Sequence, residues 1–247
     1  MIRWVLAFLL YAAPTRAADI TVLTAGAFKP VAAALIPAFE NNTGDTVALR
    51  NDTVGALLHR IDAGERFDVV LMSPPGLEKL AETGKIIPGS STVLAKVGIG
   101  VAVKAGVPKP DITTVAAFKA TMLHANRVAY IDPASGGSSG IYVAQLFQTL
   151  GIADSMAPKS VLVNGGLAAQ AVADGRAEIV VHQISEIVGV PGVTLVGPLP
   201  PEIQSETVYA GAIAATSAVP DAAHAFLAAL SGPTAHAVLI GKGMMPP

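Results

Sequence analysis

Four short segments hold most of the residues in this chain that could do chemistry: Ala25-Gly26-Ala27-Phe28, Asp52-Thr53-Val54-Gly55, Ser135-Gly136-Gly137-Ser138-Ser139-Gly140 and Asn164-Gly165-Gly166. Glycine lets backbone N–H groups come close to a bound group, and serine and threonine add hydroxyl donors. Where such a turn opens a helix, the unpaired N–H groups of the first turn and the helix dipole favour negative charge. Holding a small anion with neutral dipoles is the chemistry these residue types suit. The plainer alternative is that the glycines serve positive φ and the serines cap helices, as any α/β protein requires at its turns. The run at 135–140 is the densest and is the segment expected to touch a ligand.

Residues 136–140 also satisfy G-x-S-x-G, with Ser138 in the nucleophile slot and His182, His224 and His236 downstream, so a serine hydrolase is an alternative. Against it, no His-Gly-Gly oxyanion segment precedes the site, and the loop from Ile131 is long for a tight nucleophile elbow. The histidines at 59, 124, 182, 224 and 236 show neither H-E-x-x-H nor any paired ligand spacing, so no metal ligand is assigned. His182-Gln183-Ile184-Ser185-Glu186 stands apart, because an apolar strand ends there in a polar cluster. That cluster is either a ligand contact or a solvated strand end. Neither the phosphate-loop nor the dinucleotide glycine fingerprint occurs.

The elements that must position these turns alternate in type. Residues 20–24 form an apolar strand broken at Ala25-Gly26-Ala27, and a helix opens near Lys29-Pro30 with Val31, Ala34, Leu35 and Phe39 at helical spacing. A strand at 45–50, a helix at 56–63 closed by Gly64 and a strand at 67–72 repeat the unit. Strands at 98–104, 127–131, 161–163, 179–182 and 207–214 follow, with helices at 114–123, 141–150, 167–174 and 221–230. Gly197-Pro198-Leu199-Pro200-Pro201 interrupts any regular element and is read as a crossing point. Alternation with short loops requires crossover connections, which gives an α/β fold with a mostly parallel sheet flanked by helices. In such sheets ligands gather at the carboxyl ends of the strands, where all four turns fall.

The chain has 247 residues, 52% of them apolar and 14% charged, with 24 Gly and 18 Pro, which excludes a disordered chain and a coiled coil. Arg3, the uncharged apolar run at 4–13 and Pro14-Thr15-Arg16-Ala17 have the order of a secretory signal, and cleavage is expected after Ala17. Ten apolar residues are too few to cross a bilayer, which takes about 20. Removing 1–17 takes away two of the 16 basic residues and none of the 18 acidic ones, so the exported chain is net acidic and offers nothing to nucleic acid. With no cysteine there is no disulfide, no thiolate metal site and no lipid-anchored cysteine.

Several short motifs then fall in a telling order: Ile20-Thr21-Val22-Leu23, Asp68-Val69-Val70-Leu71-Met72-Ser73, Gly140-Ile141-Tyr142 with Leu150-Gly151, Ser185-Glu186, and Phe226-Leu227 with Ser231-Gly232-Pro233. In this order the chain resembles the periplasmic molybdate-binding proteins of ABC importers, over residues 19–247. The resemblance implies a two-lobed type II periplasmic binding fold, with residues 18–95 and 205–247 in one lobe and 96–204 in the other. It further implies a periplasmic monomer that binds a small anion between its lobes and serves an ABC permease in the inner membrane, with no catalysis and no cofactor. Ala27 falls where that family carries a serine, Val54 with Thr53 beside it where it carries a second, and Gln183 where it carries a tyrosine. Ser139 and Gly165 fall at backbone-donating positions, while Phe28 and Ser138 complete the expected ligand set. A molybdate-like or tungstate-like oxyanion is the implied ligand. A small organic carboxylate, lying on the apolar surface of Val54 and Phe28, is the rival.

Overall fold

The computed structural model describes residues 17–247, so the expected leader lies outside the described residues except for Ala17. β1 (Asp19–Ala25) runs through a 3₁₀ turn (Gly26–Phe28) directly into α1 (Lys29–Thr43), which carries Pro30 in its first turn and buries Val31, Ala32, Leu35 and Phe39. Proline suits this first turn because its missing N–H would have no partner there. Gly44, at φ +80°, closes the helix in the left-handed conformation. β2 (Thr46–Asp52), α2 (Val54–Asp62) and β3 (Val69–Met72) repeat the unit, and β2 and β3 both pair with β1 in parallel. α3 (Pro74–Glu82) follows.

The 13-residue β4 (Thr92–Lys104) then crosses the molecule. Beyond it lie α4 (Val115–His124), β5 (Val128–Ile131), α5 (Ser138–Thr149), the short α6 (Ala153–Met156), β6 (Ser160–Val163), α7 (Gln170–Ala173), β7 (Ile179–Gln183), the single turn α8 (Ile184–Ile187) and β8 (Val193–Pro198). β9 (Glu206–Ile213), α9 (Pro220–Ser231) and α10 (Pro233–Gly241) complete the described chain.

The strands lie in the order β2-β1-β3-β9-β4-β7-β5-β6, with β8 also on β4. Pairs made through a strand–helix–strand crossover are parallel, as expected: β1 with β2 and β3, and β5 with β6 and β7. The sheet is nevertheless mixed, because every pair involving β4 or β9 is antiparallel. These two strands connect the halves of the sheet and run against their neighbours. The first part of β4 pairs with β9 up to Gly98, and its second part pairs with β7 from Ile99 onward.

The buried core divides at the same place. One cluster draws on residues between Ile20 and Val97 and between Tyr209 and Met244, centred on Phe28, Phe39, Leu71 and Phe226. The others draw on residues between Ile99 and Leu199. Among the described residues the buried polar side chains are Thr24, Ser90, Ser139, His182, Gln183, Ser185 and Glu186. Five of these seven lie at one place, where the end of β7 and α8 meet the start of α5, and a buried polar group needs a reason to be there.

Candidate functional site

The turn after β1, the starts of α2 and α5, the turn before α7 and the end of β7 surround a cavity of about 230 Å³. Larger grooves, such as one beside α4, are shallower and hold no comparable buried polar cluster. The cavity lies at the carboxyl ends of β1, β2, β5 and β7, where strand ends give way to helix starts. Its size is below the roughly 300–1,000 Å³ of a drug-sized ligand pocket, so it fits a small molecule.

β7 is buried along its whole length, and α8 turns back for one helical turn after it. That turn brings Glu186 onto His182, with the carboxylate Oε2 3.4 Å from the imidazole Nε2. The contact has ion-pair distance but not hydrogen-bond geometry, so Nε2 is a buried nitrogen with no hydrogen-bond partner. The other ring nitrogen, Nδ1, is 3.1 Å from the Ser139 hydroxyl on the first turn of α5. Ser139, His182 and Glu186 thus form a chain of three polar side chains, each less than a tenth exposed. The Ser185 hydroxyl beside them is buried and unpartnered as well.

Glu186 owes its position to a glycine in the opposite half of the sheet. A Cβ on Gly26 would stand 2.5 Å from Glu186 Oε1, so only a residue without a side chain lets the carboxylate lie there. Tyr209, on β9, donates its hydroxyl to Gln183 Oε1 at 3.2 Å. Burial pushes the Tyr209 phenol well above its ordinary range, and the nearby Glu186 charge adds to the rise, so the hydroxyl keeps its proton.

Hydroxyl donors are few here. Thr53 caps α2, accepting from Ala56 N at 3.2 Å, and gives its proton to the carbonyl of Ser135 in the turn before α5. Gly55 N donates to Gly136 O at 3.3 Å beside it, and a Cβ on Gly55 would meet Gly136 Cα at 2.9 Å. These two turns therefore touch backbone to backbone and seal one side of the cavity. The Ser138 hydroxyl accepts from Gln183 Nε2 at 3.4 Å. Ser138 also makes a hydrogen bond to Tyr209, so its hydroxyl joins the start of α5 to both β7 and β9 at the cavity wall. Of the two charged side chains nearest the mouth, Lys29 is exposed, and Asp52 is tied to Arg60 at 3.2 Å.

Of the residues expected from the sequence, Ala27, Thr53, Val54, Ser138, Ser139 and Gln183 line the cavity. Phe28 does not: it is fully buried behind the wall and stacks on Tyr209 with ring centroids 6.2 Å apart, because the 3₁₀ turn points it into the core. Gly165 also lies outside the lining, which at that turn is made by Gly166 and Leu167, and its positive φ of +80° serves the turn instead. Glu186, Tyr209, Lys29 and Asn51 line the cavity without having been expected as ligand residues. Glu186 was within reach of sequence reasoning through the polar cluster after β7, whereas Tyr209 sits on a strand that reads as ordinary core. For the hydrolase alternative, Ser138 has no histidine partner. The serine that meets His182 is Ser139, and it meets Nδ1.

The sequence profile of the bacterial extracellular solute-binding proteins matches residues 20–245. A Pseudomonas protein named aconitate isomerase is 35% identical over 250 aligned positions, covering 97% of this chain and 94% of that one. Among solved structures, the Azotobacter vinelandii periplasmic molybdate-binding protein superposes with a TM-score of 0.79 at 22% identity, over 92% of this chain and 99% of that one. The sulfate-binding protein SubI of Mycobacterium tuberculosis superposes with a TM-score of 0.74 at 18% identity, over 93% and 87% of the two chains. At these identities the two structures speak to the fold alone.

Proposed function

The chain belongs to the family of bacterial extracellular solute-binding proteins, and from that premise we propose that it binds a small organic polycarboxylate of the aconitate class. In this reading residues 18–95 with 205–247 and residues 96–204 are two lobes that close over the ligand, and an inner-membrane ABC permease receives the loaded form. The observation that carries the choice of ligand is the scarcity of free hydroxyl donors. A tetrahedral oxyanion removed from water needs nearly every oxygen bonded, and each unmet contact costs about 1–3 kcal/mol or more. Here Ala27 and Val54 bring no side-chain donor, and the protons of Thr53 and Tyr209 go to protein acceptors. A polycarboxylate spreads its oxygens over separate groups, so each carboxylate can meet the N–H groups of a different helix start, and α1, α2 and α5 all open on the cavity. Its carbon frame can lie against Val54, Ile131 and Leu167 in the cavity wall. The 35% identical relative over nearly the whole chain supports the same class, since aconitate is an unsaturated tricarboxylate.

Thermal unfolding of residues 18–247 with molybdate, tungstate, sulfate, citrate and both aconitate isomers tests this reading. A ligand at 100 times its Kd adds about 2.7 kcal/mol, which raises the Tm of a chain this size by roughly 5–11 °C. Shifts with the carboxylates and none with the metal oxyanions are expected. A shift with molybdate and tungstate alone overturns the polycarboxylate reading.

A further inference from the structure

We propose that His182 and Glu186 act as a proton-transfer pair that shifts the double bond of an unsaturated polycarboxylate, with Ser139 as the positioning residue. The inference rests on the ligand class proposed above and adds a reaction to it. Glu186 Oε2 and His182 Nε2 face each other at 3.4 Å, both less than a tenth exposed. An imidazole and a carboxylate at that distance, both in the cavity wall, place two groups able to give or take a proton side by side next to the ligand space. A purely structural ion pair would satisfy both partners. Here Nε2 has no hydrogen bond, and Gly26 gives up its side chain to leave room for the carboxylate. Ser139 fixes the ring through Nδ1.

A ligand with a CH₂ group next to both a carboxylate and a C=C bond matches this pair. The basic member removes one CH₂ proton, and the electrons of that C–H bond become the new C=C bond. The old π pair moves to the far carbon, which takes a proton from the acidic member. One C–H bond breaks and one forms, no electrons leave the ligand, and the pair ends with the single proton it began with. In aconitate this shift exchanges the two ends of the propene unit and so interconverts cis and trans isomers. General acid–base catalysis of this kind contributes about 10²–10⁴-fold.

The test is proton NMR of residues 18–247 in D₂O with cis- or trans-aconitate. Deuterium entering the CH₂ and vinyl positions, together with growth of the other isomer, is expected. H182Q and E186Q should each lower that rate about 10²–10⁴-fold while keeping the thermal shift given by the same ligand. S139A should lower kcat by about tenfold with KM held, a split that a merely structural serine would not produce. A wild-type protein that gains Tm with aconitate yet exchanges no deuterium overturns the proton-transfer proposal and leaves the binding reading standing. No Tm gain with any carboxylate removes both. Exchange that survives in H182Q and E186Q overturns the assignment to this pair.

Discussion

Replacing Gly26 by alanine tests the close contact that holds Glu186 in the cavity wall. The added methyl would start 2.5 Å from Glu186 Oε1, whereas ordinary contact begins near 3.4 Å, so the carboxylate must retreat by roughly 0.9 Å. The backbone offers no reason for the glycine, because Gly26 is not among the residues with positive φ. The carboxylate is the end of a flexible side chain beside a cavity and can give way, so the cost lies at the low end of overpacking, about 1 kcal/mol, equivalent to a Tm drop of roughly 2–4 °C in a chain of this length. The same change in an E186A background has space for the methyl. There it should be neutral or should stabilise by about 0.4–1 kcal/mol, through the lower entropy of the unfolded chain. Chemical unfolding of the four proteins in this double-mutant cycle gives a coupling of about 1–2 kcal/mol if the contact is as described. An equal cost for G26A in both backgrounds would refute the reasoning, because it would place the strain somewhere other than Glu186.

S138A should weaken binding of a carboxylate ligand by about 1–3 kcal/mol, read by calorimetry, because Ser138 brings a hydroxyl to the cavity wall in the first turn of α5. T53A removes both the cap of α2 and the hydroxyl bond to Ser135 O, and should cost about 0.5–2 kcal/mol in denaturant unfolding. On the surface, the Arg60 and Arg50 guanidiniums hold the Glu65 carboxyl below its ordinary range, Arg60 having the larger effect. A lowered folded value contributes stability above the ordinary carboxylate range, and that stability is lost as pH falls through the folded value. E65Q should therefore cost less than about 1 kcal/mol at pH 7, and the gap to wild type should close in acid.

The strand–turn–helix units were legible because their apolar spacing and their Gly and Pro punctuation are local. The strand expected at 20–24 is β1, that at 45–50 is β2, and the helix expected at 221–230 is α9. Elements hidden from the sequence were those whose signals oppose one another. α3 and α10 each open on proline, which reads as a breaker but is well placed in a first helical turn. β8 ends in the Gly197-Pro198 pair that marked an interruption, and it forms only because β4 offers an edge to it. β4 begins at Thr92, six residues before the expected start, since its first half is stabilised by β9, more than a hundred residues away in sequence.

The site follows the same division. The turns at 25–28, 52–55 and 135–140 were visible as glycine- and serine-rich, and each brings at least two residues to the cavity. The structure starts α5 at Ser138, so Ser138 and Ser139 belong to the first turn of the helix and not to the loop before it. What no local pattern carries is the meeting of Gly26 with Glu186, or of Tyr209 with Gln183, because both join segments from opposite halves of the sheet.

The seal between the 52–55 and 135–136 turns has a kinetic consequence. Its bonds run from Thr53 to Ser135 O and from Gly55 to Gly136 O, and neither involves whatever occupies the cavity. The work of reopening that side is thus common to every occupant, and it sets a shared lower bound on how long any of them stays. Discrimination between occupants is left to the cavity floor, and to residence times longer than that bound. If the occupant is also transformed, release of product and escape of unreacted ligand pass through the same opening, so strengthening the seal slows both together.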